Sequence, residues 1–395
     1  TYWGLGRMAT QPPRHRPTAS IERLEPSVDT SMVRGGIEYS DYLLVDNDAR
    51  FVSEMALQAV RYGAVIANRV DVVAAETGVG GWRMDLRDVL ADRSFQCSAS
   101  LVVNAAGPYV PDVGHLTGTA TDHRLVFSKG IHLVVPRITD SGRILAFFDD
   151  GERLFYVLPM GERSVIGTTD TPVEDPDVSV TGEDRAFLLE QINARIDLPR
   201  PLTAADVIAD RCGVRSLVVE PGGSAEGRDW TELSRRHAVE VDRTLGVVSI
   251  LGGKLSDCLN VGDEVVEAAE NCGLEVRTPV ARWYGEPGRT ARRRFNERAS
   301  GLGLNQRVAE DLWRRQGMRA FPTLDLIDED RSLGEPMGGL VPLTEAEVRV
   351  MADHERILEP EDFLRRRTML AQVERDEDLA GDEAVQRALG ILGMV

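Results

Sequence analysis

Two lysines are the most unusual chemical groups in this sequence. Lys129 and Lys254 are the only lysines among 46 lysine and arginine residues. A lysine ammonium is a compact, mobile charge with a tunable pKa, whereas an arginine guanidinium is planar, bulky and permanently charged. We therefore interpret the two lysines as candidates for positions where arginine does not serve. The alternative is that they are leftovers of a general bias toward arginine.

Several arginines fall in or beside predicted strands. Arg211 and Arg215 are four residues apart in RCGVRSL, so a strand would present both on one face. Arg235 and Arg236 directly precede another predicted strand. Because an unpaired buried cation is unfavourable and guanidinium forks match phosphate oxygens, these arginines indicate either an anion site or internal salt bridges. The 64 acidic residues keep the second alternative open.

One histidine lies close to one of the two lysines. In SKGIHLVVP, His132 follows Lys129 by three residues on an apolar predicted strand. A neutral histidine can accept the proton of a substrate hydroxyl near neutral pH. His132 is therefore a candidate catalytic base, with a packing role as the alternative.

Small residues at two predicted strand ends favour the close approach of a ligand. Gly252 and Gly253 separate the strand VVSIL from a helix that begins near Lys254. Two glycines let the backbone approach a flat or anionic group, and a helix start directs N–H groups toward it. The small residues at 105–107, after VVN, follow the same logic. A tight structural turn is the alternative at both places, and no GxGxxG fingerprint follows a strand and opens a helix.

The periodicity of the first half predicts the elements that position these residues. A helix is expected over 49–62, a strand over 64–68 and a hairpin that turns at 78–81. Residues 124–170 predict an antiparallel sheet, since turn signals separate successive apolar strands. Residues 1–35 predict a connecting segment.

The second half predicts helices. One begins near Thr181, whose spacing to Asp184 resembles a capping box, and another runs over 254–271. Charged helices dominate after Thr290. We therefore predict two regions, residues 1–280 with the sheets and residues 281–395 as a helical domain.

Composition restricts the partners and the compartment. A formal charge of −18 argues against nucleic acid as a partner, because a phosphate backbone requires a basic surface. No apolar run approaches the ~18–20 residues of a membrane-spanning helix. The four cysteines lack CxxC pairs and histidines at metal-ligand spacing, so we expect reduced thiols, no metal and a cytoplasmic protein.

Eight segments together resemble the FAD-dependent glycerol-3-phosphate dehydrogenases, in the group related to D-amino-acid oxidase. They occur in the family's order and span almost the whole chain. They are DNDARF at Asp46–Phe51, VVNAAGPYV at Val102–Val110, SKGIHLVVPR at Ser128–Arg137, FFDDGERLFYVLPMGERSVIGTTDTP at Phe147–Pro172, RCGVRSL at Arg211–Leu217, LSRRH at Leu233–His237, GGKLSD at Gly252–Asp257 and EDFLRRRT at Glu361–Thr368.

The resemblance implies an α/β fold. An FAD-binding Rossmann-like domain, here incomplete, is interleaved with an antiparallel-sheet substrate domain and followed by a helical C-terminal domain. It also implies oxidation of sn-glycerol 3-phosphate to dihydroxyacetone phosphate, with hydride passing from C2 to the flavin and electrons on to a membrane quinone. Peripheral contact with the inner face of the cell membrane and a homodimer are compatible with it and stay open.

The resemblance assigns roles to individual residues. It implies catalytic roles for Arg215, Lys254 and His132, and substrate binding by Arg235 and Lys129. The implied FAD contacts are Val70, Ala105, Ala106, Gly107, Gly252, Gly253, Leu255 and Ser256.

The chain departs from the family at its start. It begins with Thr1 and lacks the family's N-terminal strand, GxGxxG and helix, so we expect a processed product or fragment that alone holds FAD weakly. Ile131, Tyr109 and Ser256 stand where relatives often have Ser, Trp and Thr.

Three alternatives to a dehydrogenase remain. They are a glycerol-3-phosphate oxidase that uses oxygen, a flavin oxidase acting on amines, and a non-catalytic fragment. The inserted segment typical of the first is not found in this sequence, and the arginine-rich strands do not suit the amine substrate of the second.

Overall fold

The computed structural model describes residues 2–5, 8–31, 33–44, 48–148, 154–222, 236–277 and 287–394. The strands are β1 Arg14–Arg16, β2 Gly36–Glu38, β3 Val70–Gly78, β4 Gly81–Asp88, β5 Arg93–Ala99, β6 Val102–Asn104, β7 Arg124–Pro136, β8 Leu145–Phe148, β9 Leu154–Met160, β10 Arg163–Gly167, β11 Thr171–Val173, β12 Ala209–Val219, β13 His237–Asp242, β14 Val247–Gly252, β15 Pro336–Gly338 and β16 Val341–Thr344. The helices are α1 Tyr2–Leu5, α2 Thr18–Leu24, α3 Asp48–Arg61, α4 Val110–Thr117, α5 Gly182–Asn193, α6 Cys258–Asn271, α7 Ala291–Gly301, α8 Gln306–Gln316, α9 Ala320–Glu329, α10 Glu345–His354, α11 Leu370–Val373, α12 Asp376–Gly381 and α13 Glu383–Ile391.

A six-stranded antiparallel sheet, which we call the large sheet, lies at the centre. The thirteen-residue strand β7 pairs with β12 along one edge and with β10 and β11 along the other. Strands β9 and β8 continue the sheet beyond β10. This topology confirms the antiparallel arrangement predicted for residues 124–170.

Helix α5 covers one face of the large sheet. It begins with the predicted capping box, in which Thr181 Oγ1 accepts from the Asp184 amide at 3.1 Å and Asp184 Oδ2 accepts from the Thr181 amide at 2.9 Å. Leu188 and Ile192 share one buried cluster with alternate residues of β7, including Ile131. Each fully buried side chain of this kind contributes roughly 1.5–3 kcal/mol, so this face of the large sheet is structural.

The Rossmann-like part contains parallel strands. Strands β6 and β14 are parallel, with Val102 opposite Val247, and β13 extends this sheet antiparallel to β14. Trp82 of the three-stranded sheet β3–β4–β5 packs into the same buried cluster as Val102 and Val247. Together with the helices α4 and α6, these sheets make the α/β layer that was predicted.

The C-terminal region is helical, as predicted. Phe295, Leu312 and Leu324 of α7, α8 and α9 are fully buried together. A second core lies under α10 and α13 and includes Met351 and Val385. The division between residues 1–280 and 281–395 stays a prediction, because residues 278–286 lie outside the described ranges.

A buried ion network, which we call the domain network, joins α3 to the C-terminal helices. Glu355 is 2% exposed and accepts hydrogen bonds from Arg50 Nη2 at 3.3 Å and Arg319 Nη2 at 3.1 Å. Arg319 also donates to Glu54 of α3. The predicted helix over 49–62 is therefore present, and it is tied to residues some three hundred positions later.

Several elements differ from the prediction. Residues 64–67 form no strand, and Val65 is 95% exposed, because no neighbouring strand covers this short apolar run. The mostly exposed β5 was missed, although Phe95, Cys97 and Ala99 alternate with polar residues. Residues 1–35 are more than a connecting segment, because β1 pairs with β2. In the described part of the chain, none of the helices has both the length and the apolar character needed to cross a bilayer.

Candidate functional site

The polar face of the large sheet, opposite α5, carries the predicted cations. Arg215 lies opposite Ser128, Gly213 opposite Gly130, and Arg211 opposite His132 in the pairing of β12 with β7. Because directly opposed residues share a face, these residues lie on one surface, which we call the cationic face. The prediction that Arg211 and Arg215 share a face is confirmed.

Arg215 crosses β7 over a glycine. A Cβ added to Gly130 would lie 2.7 Å from Arg215 Cζ and closer still to both terminal nitrogens. The guanidinium continues to the loop between β10 and β11, where Nη2 donates to Thr168 Oγ1 at 2.8 Å and Nη1 to the Thr169 carbonyl at 3.1 Å. The missing side chain at Gly130 is thus what allows Arg215 to reach this loop.

The loop that receives Arg215 is itself held against β7. Thr169 Oγ1 accepts from the Ile131 amide at 3.1 Å, and Ser128 Oγ donates to Asp170. Asp170 Oδ1 also lies 3.5 Å from Arg215 Nη1. The guanidinium is therefore oriented by several partners before any ligand binds, which lowers the entropy lost on binding.

Open space lies beside Arg215 on the cationic face. A Cβ added to Gly213 would meet no atom within 4 Å. Gly213 is directly paired with Gly130, which Arg215 covers, so the bare backbone between Arg211 and Arg215 is that of Gly213. Space of this kind, with cations on two sides, suits a small anionic ligand.

His132 is held neutral. Burial lowers its pKa to about 4, and the positive charges of Arg211 and Arg215 act in the same direction. At neutral pH the imidazole is therefore uncharged, and the lowered pKa makes it a weaker base than a free histidine. Its ring lies against Gly167, where a Cβ would approach Cδ2 to 2.8 Å. The structure places His132 on the cationic face, and its role as a base stays a prediction.

Arg211 lacks an acidic partner within ion-pair distance among the described residues. Its Nη2 donates to the thioether of Met160 at 3.4 Å, and its buried Nε has no hydrogen-bond acceptor. Burial lowers the pKa of this guanidinium; the charge of Asp48 opposes the effect and that of Arg365 adds to it. From the sequence, Arg211 was a candidate for an anion site or an internal salt bridge, and the described residues contain no salt-bridge partner for it.

Lys129 lies on the other face of the large sheet. It directly precedes Gly130 on β7, so its side chain points toward α5, where Nζ donates to Asp184 Oδ2 at 2.6 Å. Lys129 is 8% exposed, and the structure does not bring it together with Arg215 and His132. Its placement gives it a structural partner, and substrate binding by Lys129 stays a prediction without geometric support.

The Gly-Gly turn before Lys254 is tightly enclosed. Gly252 has φ +63°, and a Cβ there would overlap Val218 and lie 3.3 Å from the Ser216 carbonyl. The turn therefore packs directly beside the strand that carries Arg215. Lys254 is exposed; its carbonyl accepts from the Asp257 amide at 2.9 Å, and its ammonium makes no hydrogen bond or ion pair within the described ranges. A short 3₁₀ turn, Leu255–Asp257, separates it from α6, where one continuous helix was predicted.

The small residues predicted to contact FAD meet at one sheet edge. Strands β6 and β14 are parallel, so Ala105, Ala106 and Gly107 follow one carboxyl end and Gly252 closes the other. Ligands of open α/β sheets bind at this edge. A Cβ on Gly107, whose φ is +61°, would meet nothing within 4 Å. These residues fit a flat cofactor that lies close to the backbone.

The remaining predicted residues are distributed around this edge. Leu255 and Ser256 lie in the exposed 3₁₀ turn after the glycines. Val70 is the first residue of β3. This strand packs against α4, the helix that follows Gly107 in the sequence. Arg235 lies outside the described residues.

His237 was missed by sequence analysis. Its Nδ1 lies 2.7 Å from Asp257 Oδ2 and its Nε2 lies 3.0 Å from Glu264 Oε1. Burial alone would lower the pKa of His237, because it disfavours the charged ring. The hydrogen bonds to Glu264 and Asp257 have the larger effect and raise the pKa above its usual value. The histidine thus ties β13 to the turn that follows Lys254. His237 and Asp257 are 20 positions apart, so no local sequence pattern predicts this contact.

Two sequence profiles match the chain. One described as FAD dependent oxidoreductase matches residues 3–254, and one described as the C-terminal domain of alpha-glycerophosphate oxidase matches residues 280–393. The first covers more than half of the chain and includes both the cationic face and the Gly-Gly turn.

Curated relatives carry one enzyme name. Glycerol-3-phosphate dehydrogenase 1 of Mycobacterium bovis is 30% identical over 387 residues, covering 94% of this chain and 70% of the relative. The mitochondrial glycerol-3-phosphate dehydrogenase of Mus musculus is 28% identical over 388 residues, covering 93% of this chain and 51% of the relative. The chain therefore spans about half the length of the mouse protein.

A solved structure shares the fold. The glycerol-3-phosphate dehydrogenase of Bacillus halodurans complexed with FAD superposes with a TM-score of 0.73 and 23% sequence identity, covering 97% of this chain and 78% of that one. The similarity extends through both the sheets and the helical C-terminal region.

Proposed function

This chain belongs to the family of FAD-dependent glycerol-3-phosphate dehydrogenases, and we propose that the protein oxidises sn-glycerol 3-phosphate to dihydroxyacetone phosphate. The observation that carries the proposal is the cationic face, where Arg211, Arg215 and His132 surround the bare backbone at Gly213. Guanidinium groups suit a phosphate monoester, and a neutral imidazole suits removal of a proton from an alcohol.

The chain's own residues divide the reaction into binding and proton transfer. Arg215, already oriented by Thr168 and Thr169, binds the anionic substrate. His132 accepts the hydroxyl proton on its neutral ring. Lys254, at the Gly-Gly turn, donates to the substrate oxygen on which negative charge develops. We also propose that Arg235 binds the substrate.

Bound FAD would supply the acceptor of the hydride that leaves C2. The residues that fit it are the small ones at the edge of β6 and β14 together with Leu255 and Ser256. Their support is the open backbone at Gly107, which admits a flat ring close to the main chain.

A membrane quinone is the acceptor we propose, in a cytoplasmic protein that contacts the membrane peripherally. Support comes from the relatives, whose names are those of dehydrogenases. The second candidate is a glycerol-3-phosphate oxidase, which the description of the C-terminal match favours.

Steady-state assays of the full-length protein loaded with FAD separate these candidates. We expect sn-glycerol 3-phosphate to support reduction of a soluble quinone analogue, and neither glycerol nor glycine to do so. Oxygen uptake with stoichiometric peroxide and no quinone reduction would establish the oxidase instead. Turnover of glycine in place of glycerol 3-phosphate would contradict the proposed substrate.

A further inference from the structure

Arg211 is a half-buried cation whose Nε is buried without a hydrogen-bond acceptor among the described residues. A guanidinium carries five N–H donors. In the described part of the chain, one donor meets a sulfur atom at 3.4 Å and the buried Nε meets no acceptor. A thioether is a weak acceptor, so neither of these two nitrogens has a strong hydrogen-bond partner.

Other arginines on the same face of the large sheet are satisfied. Arg163 of β10 donates to Glu374 Oε2 at 2.9 Å and to the Val373 carbonyl at 2.9 Å. Arg215 has the β10–β11 loop. Arg163 and Arg215 thus donate to oxygen acceptors on this face. Among the described residues, Arg211 donates only to a sulfur atom.

The surroundings of Arg211 contain positive charge and open space. Arg211 lies opposite His132, and the pKa of that histidine is lowered by both Arg211 and Arg215. Between the two arginines lies Gly213, above which a Cβ would meet nothing within 4 Å. Asp48 is close enough to influence the pKa of Arg211 but forms no ion pair with it among the described residues.

We propose that Arg211 is a second anion-binding residue of the site, which holds the phosphate of the substrate from the side opposite to Arg215. When a dianion occupies the space above Gly213, the guanidinium exchanges the Met160 sulfur for phosphate oxygens. Two guanidinium groups on one ligand select a doubly charged phosphate monoester over singly charged or neutral alcohols. The inference rests on the proposed function, which it extends by naming the group that discriminates the substrate.

A pair of matched variants in the full-length protein tests this role. Arg211→Met removes the charge and keeps an unbranched apolar side chain beside Met160. Arg163→Met makes the same change on the same face, where the arginine is paired with Glu374. The probes are sn-glycerol 3-phosphate for kinetics and inorganic phosphate for thermal unfolding without turnover.

The two variants have opposite expected outcomes. For Arg211→Met we expect KM for sn-glycerol 3-phosphate to rise roughly ten- to a hundredfold with kcat within about twofold. The unliganded Tm should stay equal or rise, because an unsatisfied charge is removed, and the Tm increase caused by phosphate should be lost. Arg163→Met should lower Tm and keep both KM and the phosphate effect.

Two results would overturn the proposal. One is an unchanged KM in Arg211→Met; the other is a fall in the unliganded Tm equal to that of Arg163→Met, with the phosphate effect retained. If the parent protein does not oxidise glycerol 3-phosphate, the proposed function fails, but the phosphate effect on Tm still decides whether Arg211 binds an anion.

Discussion

The domain network and the cationic face hold their arginines with different partners. In the domain network, Arg50 and Arg319 both donate to Glu355, at 3.3 and 3.1 Å. On the cationic face, Arg211 has no carboxylate within ion-pair distance among the described residues, and Arg215 lies 3.5 Å from Asp170. The two regions use the same residue type, but Arg211 differs from Arg50 and Arg319 in having no carboxylate within ion-pair distance among the described residues.

The difference indicates how structural and functional arginines are distinguished in this chain. A buried guanidinium held by carboxylates fixes the position of helices, and its removal leaves an uncompensated charge. A buried guanidinium without a carboxylate is unfavourable in the free protein and becomes favourable when an anion binds. The missing carboxylate at Arg211, among the described residues, is the feature on which our proposal of an anion ligand rests.

The largest expected effect comes from breaking the domain network. Glu355→Gln removes the carboxylate that Arg50 and Arg319 share, and leaves both guanidinium groups buried near each other. We expect the free energy of unfolding to fall by about 3–5 kcal/mol, measured by urea denaturation. The control is Glu297→Gln, whose partner Arg293 lies on the surface of α7, and which should lose under about 0.5 kcal/mol. Equal losses in both variants would show that the network is not stabilising.

His132 predicts a pH dependence of stability. Its pKa is about 4 in the folded chain, against 6.5 in the unfolded chain, because burial and two arginines oppose its charge. Between these values the unfolded state binds more protons, so stability falls as the pH falls from 6.5 to about 4, by at most ~3 kcal/mol. His132→Gln should remove this part of the acid-side loss.

Carboxylates titrate in the same pH range and also change the stability. The measurement is therefore the difference in urea midpoint between His132→Gln and the parent at several pH values. His237 supplies the internal contrast. Its raised pKa means that its contribution is fully present below 6.5 and is lost as the pH rises through the folded value. Parallel pH profiles of His132→Gln and the parent would contradict the neutral imidazole on the cationic face.

Gly130→Ala tests the crossing of Arg215 over β7. The new Cβ would overlap the guanidinium, which is the flexible end of a long side chain, so displacement is easier than unfolding. We expect KM for sn-glycerol 3-phosphate to rise roughly ten- to a hundredfold, with the free energy of unfolding lowered by under ~1 kcal/mol. An unchanged KM with a large loss of stability would make Arg215 a structural residue, like those of the domain network.

The smallest expected effect concerns Lys254. In Lys254→Arg the charge is kept, but the larger guanidinium replaces a compact ammonium at the enclosed Gly-Gly turn. We expect kcat to fall more than about twofold while flavin content stays constant, because both glycines remain. A kcat within about twofold, equivalent to under ~0.5 kcal/mol, would show that Lys254 is a generic cation.

Local patterns in the sequence predicted much of the fold. The capping box at Thr181 and the shared face of Arg211 and Arg215 are set by spacings of a few residues, and both are confirmed. Lys129 shows the limit of motif-based reasoning. It was grouped with His132 because the two share a motif, although residues three apart on a strand face opposite sides of a sheet.

Contacts between distant segments could not be predicted. The crossing of Arg215 over Gly130 depends on the register of β12 against β7, which no local pattern fixes. Glu355 meets Arg50 across some three hundred residues, and His237 meets Glu264 only after the chain has turned from β13 into α6. Strand β5, the last strand of the sheet β3–β4–β5, was not predicted, and both of its faces are largely exposed.

The most direct test of the account is anaerobic reduction of the flavin in the full-length protein without any added acceptor. We predict that sn-glycerol 3-phosphate bleaches the visible bands of oxidised FAD in a single turnover, whereas glycerol, which lacks the phosphate, leaves them unchanged at the same concentration. If glycerol bleaches the flavin as fast as glycerol 3-phosphate, or if neither does, the assignment of the cationic face to a phosphate-bearing alcohol is contradicted.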